Sequence, residues 1–370
     1  MFKKVFVLCF SANKGGMELD AIRMSRRISE YADVTLIGLK GSYIEALAKQ
    51  DISQGRAYRF ESCSVSKFWA RVFIDFRLAF LLRTVAKKIN PDMVIFLGTS
   101  EIKTIGFALR GMTSKLVLRI GTTINTPKKS LAQQFFYKKV DSFLVISEHL
   151  KHNTLNSFPI ATSRPVEICY PVINIPESQP KVLRDDLCRI VYHSRFVKGK
   201  GQKDALLAFE SVFIKNPKLR LKLIGLFEDE AYVSEIKEYI LLKGLQNYVD
   251  VIDNQEDISS ILHESDIFLG PSYGEGFSNS FVEALAYGLI CVTYENTAFP
   301  HFQKMGFNFF MAITGSLEDL QKSLSKALLA FYEKSVDLES NKQLCQKLFS
   351  VESEKRVLYK IYDQMIHVKN

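Results

Sequence analysis

Two glutamates, Glu275 and Glu283, stand with seven residues between them in the stretch Pro271-Ser272-Tyr273-Gly274-Glu275-Gly276-Phe277-Ser278-Asn279-Ser280-Phe281-Val282-Glu283-Ala284-Leu285-Ala286-Tyr287-Gly288. The apolar run Asp266-Ile267-Phe268-Leu269-Gly270 before them reads as a buried strand, and Ser278 or Asn279 supplies the N-cap of a helix that holds Glu283. A strand, a glycine-containing loop and a helix N-terminus together make an anion site, because free backbone N–H groups and the positive end of the helix dipole converge. Carboxylates would repel that anion, so they serve another part of the same ligand. Sugar hydroxyls fit, since one carboxylate accepts two of their hydrogen bonds. A ligand with phosphate in its middle and hydroxyls at both ends is a nucleotide sugar.

Upstream, the strand-like Ile190-Val191-Tyr192-His193 runs into Ser194-Arg195-Phe196-Val197-Lys198-Gly199-Lys200-Gly201-Gln202. Arg195 and Lys200 are cations five residues apart at a strand's carboxyl end. Cleaving a glycosyl–phosphate bond places negative charge on the departing diphosphate, and fixed cations aimed there stabilise the transition state above the ground state. Lys198 and Lys203 read as solvated surface.

These stretches resemble the retaining glycosyltransferases of the GT-B fold known as family 4, or group 1. The family's signature is two glutamates separated by seven residues within Pro-Ser, Glu-Gly-Phe and Glu-Ala-x-Ala-x-Gly, all present here, and its Gly-Arg-x-x-x-x-Lys-Gly loop is matched except that Ser194 replaces the glycine. The resemblance implies two Rossmann-like doubly wound α/β domains facing each other across a cleft. It implies that Arg195 and Lys200 hold the donor diphosphate, that Glu283 holds the ribose and Glu275 the sugar hydroxyls. Backbone amides of Gly276, Phe277, Ser278 and Asn279 would complete the cradle. Gly16, in a Gly-Gly pair after the first strand, would lie against the donor phosphate. Arg195, Lys200 and Glu275 are the expected catalytic residues. The donor is expected to be UDP-linked and the acceptor a glycan or glycolipid of lipopolysaccharide, capsule or a related polymer. Where relatives carry a histidine this chain has Leu118-Arg119-Ile120-Gly121, and where they carry Gly-Gly-x-x-Glu it has Glu295–Phe299, so sugar preference does not transfer. Arg119 reads either as facing the cleft or as an ion-pair partner.

The elements that position these groups alternate along the chain as strand and amphipathic helix, the pattern of parallel sheets covered on both faces. Strands are expected at 4–10, 34–38, 93–97, 115–120, 142–146, 188–193, 219–226, 248–252, 266–270 and 289–294. Helices are expected at 17–31, 67–90, 203–216, 229–243, 258–264, 317–332 and 351–368. Pro159, Pro165, Pro171, Pro176 and Pro180 interrupt the pattern over 157–180, which reads as a connection with short extended pieces. The expected division is an acceptor-side domain at 1–168, a nucleotide-sugar domain at 169–350, and a last helix, 351–370, returning to the first domain as the resemblance implies.

With 47% hydrophobic and 24% charged residues in 370, the composition is that of a globular chain of two domains. The six cysteines are scattered among apolar neighbours, and the six histidines show no ligand spacing, so no disulfide frame and no metal are expected. There is no Asp-x-Asp motif and no P-loop ending; no cofactor is expected beyond the nucleotide sugar as substrate. The first twelve residues mimic a secretory signal but lack a cleavage site, so the protein is expected in the cytoplasm. The charge of +9, with Lys67–Asn90 mixing aromatics and cations, suits peripheral contact with the anionic inner face of the membrane. The basic residues are dispersed and no nucleic-acid motif is present, so a non-enzymatic nucleic-acid binder stands as the weaker alternative, beside a GT-B nucleotide-sugar epimerase.

Overall fold

The computed structural model describes residues 2–12, 16–64, 74–173, 175–176, 187–253, 255, 257–296 and 298–367. The chain forms two compact units, Met1–Pro171 with Val351–Asn370, and Val172–Ser350. In the first, β1 (Lys4–Cys9), α1 (Gly16–Ile28), β2 (Asp33–Leu39), α2 (Tyr43–Ser53), β3 (Arg59–Cys63), α3 (Phe76–Ile89), β4 (Met93–Leu97), α4 (Ile102–Ala108), β5 (Lys115–Ile120), α5 (Leu131–Tyr137), β6 (Ser142–Val145), α6 (Glu148–Ser157) and β7 (Val166–Ile168) follow one another. The strands pair in parallel in the order β3-β2-β1-β4-β5-β6-β7.

In the second unit β8 (Cys188–His193), α7 (Gln202–Phe213), β9 (Leu219–Ile224), α8 (Glu230–Leu242), β10 (Val249–Ile252), α9 (Ser259–Glu264), β11 (Ile267–Gly270), α10 (Asn279–Ala286), β12 (Ile290–Glu295), α11 (Phe299–Lys304), β13 (Phe310–Ile313), α12 (Leu317–Glu333) and α13 (Leu338–Leu348) build a parallel sheet in the order β10-β9-β8-β11-β12-β13. The last helix, α14 (Val351–His367), belongs to the first unit.

The inner strands are Val, Ile, Leu and Phe runs because both faces of a parallel sheet are covered. In the first unit, one face packs Phe6, Leu8 and Phe96 against Leu82 of α3, Ile105 of α4 and Leu150 of α6. The other packs Val5, Val7 and Ile95 against Ile22 of α1, Ala48 of α2 and Ile361 of α14. Polar contacts fix α14 as well: Glu354 accepts two 2.6 Å hydrogen bonds from Arg27, and Lys360 pairs with Glu167 at 2.8 Å.

Three expectations need correction. The boundary lies after Pro171 rather than after Ile168, because the Cys169 N–H donates to Val145 O and its carbonyl accepts from the buried Arg119, tying it to the first unit. The helix expected over Lys67–Asn90 starts at Phe76, where the Asp75 carboxylate accepts from the N–H groups of Arg77 and Leu78; residues 67–73 lie outside the described residues. Strands β3, β7 and β13 were not expected as such.

Candidate functional site

In an open parallel sheet, ligands sit beyond the carboxyl ends of the strands where the order reverses. In the second unit that point falls between β8 and β11, which pair through Ile190 with Ile267 and Val191 with Phe268. Beyond β8 runs the loop with Arg195 and Lys200; beyond β11 runs the loop with Glu275. Topology alone therefore makes neighbours of two loops about 75 residues apart in sequence.

The loops are locked together. Lys200 Nζ donates to Glu275 Oε1 at 2.7 Å, with the two side chains 19% and 13% exposed. The Tyr273 N–H donates to Gly199 O at 3.0 Å, and the Tyr192 hydroxyl donates to Lys200 O at 2.5 Å. Gly201 ends the short 3-10 turn Lys198–Lys200 at φ +72°, and a Cβ there would lie 2.1 Å from Pro271 O. Only glycine satisfies both the left-handed backbone and that approach. Below the turn, Gln202 Nε2 holds the carbonyl of Arg195 at 2.8 Å.

Arg195 turns the other way. Its guanidinium pairs with Glu228 in the loop after β9, and both are about half exposed. Lys203 pairs with Glu235 on α8 at the surface. Glu228 was missed in the sequence, where nothing marks it beyond its place at a strand's carboxyl end.

Ser278 is the N-cap residue of α10, but its hydroxyl caps nothing. Its backbone is left-handed (φ +68°, ψ +81°), whereas a capping side chain needs an extended backbone to reach the first turn, which corrects the expected side-chain cap. A non-glycine residue in that region costs about 1–2 kcal/mol, and such strain gathers at functional sites. The Phe277 ring is buried, 5.5 Å from the rings of Phe302 and Phe349, so this residue presents only backbone to a ligand. Gly276 and Ser278 are partly exposed and Asn279 exposed. Glu283 lies in the second turn of α10, partly buried.

Behind these loops sits a further group the sequence did not reveal. Asp204, in the first turn of α7, accepts hydrogen bonds from the hydroxyls of Tyr273 at 2.6 Å and Tyr294 at 2.7 Å. The bond to Asp204 and burial push the Tyr273 phenol up to about 12, so it remains a donor. Asn296 Nδ2 donates to the carbonyl of Ser272, tying the residue that follows β12 to the glutamate loop.

In the first unit the sheet reverses between β1 and β4. Gly16 opens α1 beyond β1, and a Cβ there would meet nothing within 4 Å, so no packing among the described residues requires the glycine; Gly15 lies outside the described residues. Beyond β4, burial pushes the carboxyl of Glu101 up to about 7. Arg119 is an ion-pair partner: it is buried, bonded to Asp20 at 2.5 Å and to Cys169 O at 3.3 Å. Among the described residues no three His, Cys, Asp or Glu groups gather as a metal site, and all six cysteines are buried thiols.

Residues 174–344, which fall within the second unit, match the family model of group 1 glycosyl transferases. The capsular polysaccharide biosynthesis glycosyltransferase CapM of Staphylococcus aureus is 25% identical over 198 residues, 50% of this chain and 51% of that protein. The chain thus spans about half the length of this relative. Among solved structures, a glycosyltransferase from Rickettsia africae superimposes with a TM-score of 0.82 at 16% identity, covering 99% of both chains. Anabaena HepE in complex with UDP and glucose does so at 0.75 and 16%, covering 97% of this chain and 99% of that one. The fold is therefore GT-B, and most of the second unit is similar to the group 1 glycosyl transferases.

Proposed function

We propose that this chain is a retaining glycosyltransferase of family 4. It moves a hexosyl group from a UDP-sugar to a glycan or glycolipid acceptor in the synthesis of a cell-surface polysaccharide or lipopolysaccharide, at the cytoplasmic face of the membrane. The observation that carries this reading is the 2.7 Å contact of Lys200 with Glu275 between the two loops at the strand-order reversal. It brings together the cation expected to bind diphosphate and the carboxylate expected to bind sugar hydroxyls. The CapM match supports the polymer, and HepE, solved with UDP and glucose, supports the nucleotide.

The reaction is a front-face displacement. The bond between the sugar's C1 and the diphosphate oxygen breaks as the acceptor hydroxyl oxygen bonds C1 from the same side. The hydroxyl proton passes to the departing oxygen, and UDP leaves. Charge accumulates on that diphosphate; Lys200 and the amides at the start of α10 oppose it, joined by Arg195 when its exposed pair with Glu228 opens. An ammonium has three donors, so Lys200 serves Glu275 and the phosphate together. Glu275 and Glu283 orient the sugar and the ribose. Cationic side chains carry the role a metal ion has elsewhere, so no cofactor is required.

The test is acceptor-dependent UDP release from a panel of UDP-sugars, with the product's anomeric configuration read by NMR. Retention of configuration and full activity in EDTA are expected. Inverted product, loss of activity in EDTA, or sugar isomerisation without acceptor would overturn the scheme.

A further inference from the structure

The outer faces of α3, α4 and α5 carry large apolar side chains in the open. Phe76 and Phe80 on α3 are 68% and 76% exposed, Phe107 on α4 44%, and Leu131 and Phe135 on α5 86% and 67%. The inner faces of the same helices are filled, with Leu78, Leu82, Ile102, Ile105 and Tyr137 in the core, so the exposed set does not reflect loose packing. The exposed residues form one region. The rings of Phe76 and Phe107 meet edge to face at 6.0 Å, Lys103 Nζ of α4 sits 5.1 Å over the Phe136 ring of α5, and Lys139 lies against Gly106. An apolar region of this kind marks an interaction surface.

Charge identifies the partner. Residues 76–89, 102–110 and 128–139 contain ten Lys or Arg and no Asp or Glu, in a chain whose cations and carboxylates number 49 and 40. Arg77, Lys87, Lys88, Lys129, Lys138 and Lys139 are exposed. A second copy docked through this face would set these cations against themselves. Nucleic acid would use the charge but leave five apolar side chains wet. An anionic lipid bilayer satisfies both, taking aromatic and Leu side chains into the acyl boundary while Lys and Arg lie over lipid phosphates. No helix among the described residues is long and apolar enough to cross a membrane, so the contact is lateral.

We propose that the three-helix face of α3, α4 and α5 is the membrane-docking surface of this protein, with Phe76, Phe80, Leu131 and Phe135 inserted and the flanking cations over anionic headgroups. This deepens the membrane-side placement proposed above. Its test reads vesicle binding without donor, so its failure would leave the donor-site reading standing.

The experiment is vesicle flotation of the full chain with phosphatidylcholine alone and with an equimolar mixture of phosphatidylcholine and phosphatidylglycerol. Two patch variants accompany it, Phe76→Ser/Phe80→Ser/Phe135→Ser and Lys129→Glu/Lys138→Glu/Lys139→Glu. The control is Leu241→Ser/Leu242→Ser on the exposed side of α8 in the other unit. Thermal melts and the UDP-induced stabilisation of each variant verify its fold. The expected result is binding to the anionic mixture only, weakened by salt, lowered about tenfold or more in each patch variant and unchanged in the control. Equal binding to both vesicle types, no binding, or wild-type binding by the aromatic variant would overturn the proposal. So would salt-dependent retention of DNA or RNA by a protein that ignores vesicles, or a dimer that the aromatic variant dissolves.

Discussion

Lys200 and Lys203 stand three residues apart on either side of Gly201, yet their surroundings give them different work. Lys200 is largely buried against Glu275, whereas Lys203 reaches Glu235 at the surface, where an ion pair contributes about 0–1 kcal/mol. Lys200→Ala should therefore cut turnover about a hundredfold or more, and Lys203→Ala about twofold or less, in the same UDP-release assay. Glu101 carries a separate, pH-dependent consequence. Burial raises its carboxyl from 4.5 to about 7, so between those values the folded chain holds a proton the unfolded chain has released. Stability then falls as pH rises through that window and levels off above it. Glu101→Gln should unfold at higher urea than wild type at about pH 8 and at the same urea at about pH 4. Equal midpoints at both would show that the carboxyl is not held neutral.

The loop carrying Lys200 keeps its shape because Gly201 allows the left-handed turn against Pro271. Gly201→Ala adds an unfavourable backbone to a 2.1 Å clash, so a loss of about 2 kcal/mol or more is expected, seen as a fall of about 4–8 °C in melting temperature with a raised KM for the donor. Gly199→Ala, whose Cβ would meet nothing within 4 Å, should melt like wild type. Inner strands were readable because burial on both faces leaves only apolar residues: β4, β5 and β8 lie at their expected bounds. The strands that escaped, β3, β7 and β13, are sheet edges. Arg59-Phe60-Glu61-Ser62-Cys63 is mostly exposed and carries no such run, and three-residue β7 hides among prolines. Similarly, Glu275 and Lys200 were legible as residue types at fixed spacing. Asp204, Tyr294 and Glu228 were not, because only the folded sheet brings them to the loops.

At the scale of the whole chain, two units fold around separate sheets while α14, beyond the second in sequence, completes the first. Its Leu358, Ile361 and Met365 pack with Phe2, Val5 and Ile28, and Glu354 holds the nearly buried Arg27. Removing one partner of a buried pair leaves an uncompensated charge and costs about 3–5 kcal/mol. Glu354→Ala should thus lower only the first unit's unfolding transition in a calorimetric scan, leaving the second in place. A single transition that shifts as one would show instead that the units unfold together.

The claim on which the rest depends is that Lys200 and Glu275 grip a nucleotide sugar, and calorimetric titration of UDP-sugars into the wild-type chain, Lys200→Ala and Lys203→Ala tests it most directly. The expected result is saturable binding by wild type and Lys203→Ala, with affinity reduced about tenfold or more in a folded Lys200→Ala. Equal affinity in all three proteins, or no nucleotide-sugar binding by the wild type, would contradict it.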